Sequence, residues 1–190
     1  MKKLNIGLSA VALAALGMIG QAQIARLSLE DMTTLTDNGI VGTITGRKVI
    51  DLSNDTEGML IYTVLTIEGE SLYDGRKTTV DVVKRGGWID REAGLGTWDS
   101  EAPSDDETAL GKRIVAYYHW VDNIGSGVGA NRLFASHGSL FRTVEGPQGL
   151  VVMGRGDGYA IENNMQLSSL QKATRAIVDQ AAQQQVEASL

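Results

Sequence analysis

The residues best equipped for chemistry lie between Gly86 and Thr108. That stretch carries seven acids (Asp90, Glu92, Asp99, Glu101, Asp105, Asp106, Glu107) against a single base, Arg91, together with Trp88 and Trp98. Paired acids such as Asp99 and Glu101 suit a glycosidase, which sets two carboxyls roughly 5–10 Å apart across a cleft. Exposed tryptophans can stack on sugar rings or enter a pocket on a partner protein. The competing reading is packing. Tyr118 and Trp120 then belong to the core and Trp88 and Trp98 pin the segment down, the commoner use of large aromatics.

Other residues of catalytic type are sparse. His119 and His137 are the only histidines, and cysteine is absent. Ser136 and His137 are adjacent in a segment that reads as a strand, so they point to opposite faces and cannot form a nucleophile–base pair. There is no Gly-x-Ser-x-Gly elbow. Two isolated histidines without cysteine also give no zinc pattern. Asp51-x-Ser53-x-Asp55-x-Glu57 opens like a calcium loop, with oxygens at alternate positions. It then departs from that pattern: Thr56 stands where glycine belongs and Tyr62 where a bidentate acid belongs, so a solvated hairpin tip is the simpler reading. Gly125–Ala130 touches the dinucleotide fingerprint but runs into another strand instead of a helix, which makes it a hairpin loop. Arg155-Gly156-Asp157 spells an adhesion tripeptide, and Gly154–Gly158 is equally a natural hairpin tip. Nothing in these patterns calls for a cofactor.

The start of the chain sets an address. Met1-Lys2-Lys3 is basic, Leu4–Ile19 is apolar, and Gly20-Gln21-Ala22 offers small residues at a cleavage site, so residues 1–22 read as a secretory signal peptide, with a retained anchor as the alternative. The run is short for a transmembrane helix, which needs about 20 apolar residues. Losing Lys2 and Lys3 takes the net charge from −6 to −8. That balance disfavours nucleic acid and anionic membrane as partners. The lack of cysteine excludes a lipid-modified junction and leaves the fold to stand on its apolar core. Residues 23–190 suffice for one domain and are short for two. The expected location is periplasmic or extracellular.

The elements that must position these residues are mostly strands. Ser28 and Asp31 have capping-box form before a short helix over about 29–36. A strand from Ile40 to Asp51 follows, with Gly42 and Gly46 inside it, the mark of a bulge or close backbone approach in a coiled sheet. Further strands are predicted at Met59–Glu68, Lys77–Lys84 and Lys112–Val121, then at about 132–144, 149–154 and Tyr159–Glu162. Gly86–Thr108 reads as one long loop, a length uncommon without a function. Leu167, Leu170, Ala173, Ile177 and Ala181 share one helical face, with Ser168 and Gln171 as a capping box, predicting a C-terminal helix over 168–183 that packs on the sheet. The fold class is therefore mainly β: a small barrel or strongly coiled antiparallel sheet with two helices.

Several pieces of this pattern carry a resemblance. They are Asp37–Ile44, Ile61–Ile67, Leu72–Gly75 and Thr79–Val82, followed by Gly86-Gly87, by Gly111–Val115 and by a Gly-rich β-hairpin. Together they resemble a group of exported bacterial domains of uncharacterised function with a small OB-like barrel, over about 28–180. The resemblance implies a fold and an exported life and no functional residues. Barrels of this type bind oligosaccharides or oligonucleotides on one face and its loops. The leading expectation is a non-enzymatic exported β-domain that binds a protein or glycan partner through 86–108, with Trp88, Trp98, Asp99 and Glu101 in contact. The alternatives are a secreted hydrolase using the same carboxylates and a protease-inhibitor-like module.

Overall fold

Residues 27–188 are described by a computed structural model. Segment 1–22, read as a signal peptide, lies outside them. The chain enters through α1 (Leu29–Thr34), capped as its sequence requires: Ser28 Oγ accepts from the Asp31 amide at 3.0 Å, and the Asp31 carboxylate accepts from the Ser28 amide at 3.2 Å.

The strands are β1 (Asn38–Asp51), β2 (Ile61–Ser71), β3 (Lys77–Arg85), β4 (Gly87–Asp90), β5 (Leu95–Thr97), β6 (Arg113–Val121), β7 (Ala130–Leu133), β8 (Leu140–Gly146), β9 (Gly149–Val152) and β10 (Met165–Gln166). Five of them close a barrel in the order β1-β2-β3-β7-β6 and back to β1. All contacts are antiparallel except the short parallel closure of β3 on β7, at Val82–Asn131 and Val83–Arg132. The strand β1 makes this possible by serving two neighbours. From Ile40 to Asp51 it pairs with β2, while Asn38–Thr43 pair with β6. Register shifts between Ile44 and Gly46, leaving Thr45 as a bulge that bends the strand. Gly42 and Gly69 face each other across β1 and β2, and a Cβ on Gly69 would sit 2.0 Å from the Val41 carbonyl oxygen. Only glycine permits that approach.

Alternation distributes the core. Ile40, Ile114, Ala116 and Tyr118 join Leu65, Ile67 and Val82 inside the barrel. Their neighbours Val41, Val115 and Tyr117 point outward and meet Met32, Leu72, Phe141 and Leu170 beneath the helices. A third cluster joins Tyr62, Val64 and Val83, which face away from the barrel interior, to Ile124 of the β6–β7 loop. The C-terminal helix α2 (Leu167–Ala188) buries Leu170 and Thr174 and is fixed by Arg175, whose Nη2 donates to Glu70 Oε1 at 3.1 Å. Among the described residues no helix is long and apolar enough to cross a membrane.

Five expectations are corrected. Residues 86–108 are not one loop, because β4 and β5 form a hairpin within them. The 132–144 strand is broken by a single 3-10 turn, Ser136–Ser139, where Ser136 adopts φ +49°. Residues 159–162 form no strand, and pairing with β9 falls instead to Met165-Gln166. The helix α2 starts at Leu167, so Ser168 lies inside its first turn, and it continues to Ala188. Trp120 is 54% exposed: β6 still pairs with β7 there, at Asn131, but its pairing with β1 has ended at Asn38–Tyr118. Its indole N–H donates to Asp122 Oδ1 at 2.9 Å.

Candidate functional site: the excursion between β3 and β6

The chain leaves the barrel at Gly86 and returns at Lys112. Gly86 adopts φ +82°, donates its N–H to Ile61 O at 2.9 Å and accepts from Thr63 Oγ1 at 2.7 Å, which fixes the exit. The hairpin follows, with Gly96 opposite Trp88. A Cβ on Gly96 would lie 2.4 Å from the Gly87 carbonyl and 2.8 Å from the Trp88 ring, so this glycine makes room for the indole. Beyond it, Asp99 Oδ1 accepts from the Glu101 amide at 2.9 Å and shapes a turn. Ser104 and Glu107 then cap one another: Glu107 Oε2 accepts from the Ser104 amide at 3.0 Å, and Ser104 Oγ accepts from the Glu107 amide at 3.2 Å.

Two carboxylates clasp the excursion to the body. At the first, Asp105 binds three cations. Arg47 of β1 donates to Oδ1, Arg91 from the hairpin tip donates to Oδ2 at 2.5 Å, and Lys84 of β3 approaches Oδ1 at 3.6 Å. Burial would raise the Asp105 carboxyl, but Arg47, Lys84 and Arg91 outweigh it and hold it below the usual carboxylate range. Burial pushes the Lys84 ammonium down. The Arg91 guanidinium also lies over the half-buried Trp88 ring, 5.7 Å from its centroid.

At the second clasp, Glu107 Oε1 accepts from Arg155 Nη2 at 2.9 Å and lies 3.4 Å from His137 Nε2. The Arg155 guanidinium, 15% exposed, also donates to Leu140 O from Nε at 2.9 Å and Nη2 at 2.6 Å, and its Nη1 lies 2.5 Å from His137 Nε2. Burial would raise the Glu107 carboxyl, yet the Ser104 amide, Arg155 and His137 take it down to about 2. Burial and the Arg155 charge hold His137 below the ordinary imidazole range, against the pull of Glu107. A backbone bond from the His137 amide to the Glu101 carbonyl, 2.9 Å, completes this clasp.

Between clasps and hairpin lie two clefts that share Trp98 and Asp99 as walls. One, of about 240 Å³, contains Lys84, Trp88, Arg91 and Asp105. The other, of about 380 Å³, contains Met59, Arg85 and Glu101. Trp98 is 79% exposed on the ridge that separates them.

Three of the four expected contact residues thus come together: Trp88, Trp98 and Asp99 wall one cleft, and Glu101 stands in the next. Trp98 does not pin the excursion down. Asp99 is committed to a turn. His137 sits in a 3-10 turn against Arg155 and Glu107, and His119 packs edge-on to Phe134 at 5.2 Å between ring centroids. Asp51, Asp55 and Glu57 do not converge. Asp51 accepts from the Ser53 amide at 2.9 Å, and Glu57 accepts from the Ser126 amide at 3.0 Å, latching the β1–β2 and β6–β7 loops together. Among the described residues no group of three or more His, Asp or Glu side chains could hold a metal ion. Arg155 of the adhesion-like tripeptide is turned inward.

The sequence reading missed Arg47 and Lys84, and named Arg91 and Asp105 only in the charge balance of the segment. One trace was present: Lys84 shares the parity of Val80 and Val82, so a charge occupies a position that alternation reserves for the interior. Comparison with known protein families, with curated proteins and with solved structures finds no match to this chain.

Proposed function

We propose that this chain is an exported, non-enzymatic binding module, periplasmic or extracellular, that holds a glycan chain on the excursion. The observation that carries this reading is Trp98. A large aromatic left 79% exposed forgoes burial worth roughly 1.5–3 kcal/mol, although the fold packs comparable side chains elsewhere. It stands between two clefts whose walls supply carboxylates and guanidinium groups, Asp99, Glu101, Arg85 and Arg91. An aromatic face with charged hydrogen-bonding groups on both sides suits a sugar ring, which is apolar on its faces and hydroxylated at its rim. The basic start and apolar run of residues 1–22 support export.

Ile89 and Leu95, both exposed on the hairpin, favour a second reading in which the partner is a protein. Glycan-array binding of the wild type and Trp98→Ala decides between them. The glycan reading expects discrete saccharide binding that Trp98→Ala abolishes and that Ile89→Ser with Leu95→Ser leaves intact. Capture of a protein partner that needs Ile89 and Leu95 but not Trp98 replaces it with the second reading. Binding indifferent to all three substitutions removes the excursion as the contact region.

A further inference from the structure

The cleft behind Trp98 has more positive charge than its own carboxylates can satisfy. Lys84 lies at its base, only 6% exposed. Among the described residues its ammonium has one ionic partner, Asp105 at 3.6 Å, beyond hydrogen-bond length. An ammonium carries three donors. Asp105 divides its two oxygens among Lys84, Arg47 and Arg91. Arg85 and Asp99 also border the cleft. Three cations (Lys84, Arg85, Arg91) therefore line the cleft against two carboxylates (Asp99, Asp105), and Asp105 is shared with a further cation, Arg47. The lining thus carries one positive charge more than its carboxylates, beside an ammonium that is nearly buried, and burying an ammonium is costly unless it is paired, so the cleft favours an added anion.

We infer that this cleft is an anion receptor, and that the glycan held on the excursion is an acidic one, whose carboxylate or sulfate ester rests on Lys84 and Arg91 while its ring lies on Trp98. The sugar half of the statement rests on the function proposed above, whereas the charge half rests on the cleft alone. The chain's net charge of −6 repels such a ligand at a distance. That field is largely screened beyond about 8 Å at physiological ionic strength. Recognition therefore comes from contact within the cleft and not from steering. An anion beside Lys84 favours its charged form and raises its depressed pKa.

Calorimetry with short oligogalacturonates, and with the same oligomers methyl-esterified at their carboxyls, tests the inference. The free acid is expected to bind at least about tenfold tighter than the ester. Lys84→Met removes that difference and leaves the ester's affinity, while Trp98→Ala weakens both oligomers together. Arg91→Gln, at a side chain 68% exposed, reduces the preference for the acid and keeps the test open should Lys84→Met disturb the barrel. Titration of Lys84 by NMR gives an independent readout, an upward shift on adding oligogalacturonate. Equal affinity for acid and ester, with both lost in Trp98→Ala, overturns the anion receptor and leaves the glycan reading standing. Acid binding untouched by Trp98→Ala, matched by inorganic sulfate and abolished by Lys84→Met, keeps the receptor and overturns the glycan reading. No response of the Lys84 resonance to either oligogalacturonate or sulfate overturns the receptor outright.

Discussion

Asp105 and Glu107 stand two residues apart on the same excursion, and both tie it to the barrel, yet they are satisfied in opposite ways. Glu107 is over-provided: the Ser104 amide, Arg155 and His137 all converge on it, and Arg155 in turn saturates the Leu140 carbonyl. Asp105 is under-provided for its partners, since one carboxylate is divided among three cations, one of them a nearly buried lysine. A closed, mutually satisfied cluster is a fastener. An open cluster with donors to spare beside a cleft can fasten and still receive a ligand. The difference separates structure from function within a single segment, although both clusters look like surface ion pairs in a list of charges.

The comparison can be broken in several ways. Glu107→Ala is expected to have the largest effect, a loss of about 2–3 kcal/mol in urea unfolding, because it strands a guanidinium that is 15% exposed. A loss no larger than that of an ordinary surface pair, under about 1 kcal/mol, would make the two clasps equivalent. Acid is expected to act on the same cluster. The folded pKa of Glu107 is depressed to about 2 from an ordinary 4.5, so its stabilisation is complete above 4.5 and is lost as pH falls toward 2. The folded pKa of His137 is also depressed, from an ordinary 6.5, so its contribution is present above 6.5 and declines as pH falls below it. Stability measured against pH should therefore fall first below 6.5 and again below 4.5, with His137→Gln diminishing the first decline and Glu107→Gln the second. The smallest effect is expected from Lys84→Met, a change in unfolding free energy under about 1 kcal/mol in either direction, because losing an incompletely paired buried charge offsets the lost ion pair. A loss above about 2 kcal/mol would show that Asp105 and Lys84 form a fastener after all.

The barrel was legible in the sequence because its determinants are local and periodic. Ile114 to Tyr118 form the unbroken apolar run of a strand buried on both faces, Ser28 and Asp31 cap a helix at the required spacing, and Gly42 marks a close approach that the structure displays. What escaped the reading depended on distant partners. The hairpin of β4 and β5 is short and built around Gly87, Trp88 and Gly96, so it lacks the run of β-formers that announces a strand. Trp120 has the parity of a core residue, but β1 no longer lies beside it. The site was half legible. Trp88, Trp98 and Asp99 could be singled out as residue types, whereas the cations that face them come from β1, β3 and the hairpin tip. Arg47 and Asp105 are far apart in the chain, and only closure of the barrel brings them together.

The excursion enters and leaves beside strands that the barrel has already closed, and side chains rather than ladder bonds hold much of it in place. Lengthening such an insertion adds little to the entropy of closing it, about 0.6 kcal/mol for each doubling. The five-stranded wall, meanwhile, has no free edge within it to mispair. The barrel is accordingly suited to serve as a graft host: residues 88–103 can be exchanged for foreign segments while the exit glycine Gly86 and the pairs that Asp105 makes with Arg47 and Lys84, and Glu107 with Arg155 and His137, stay in place.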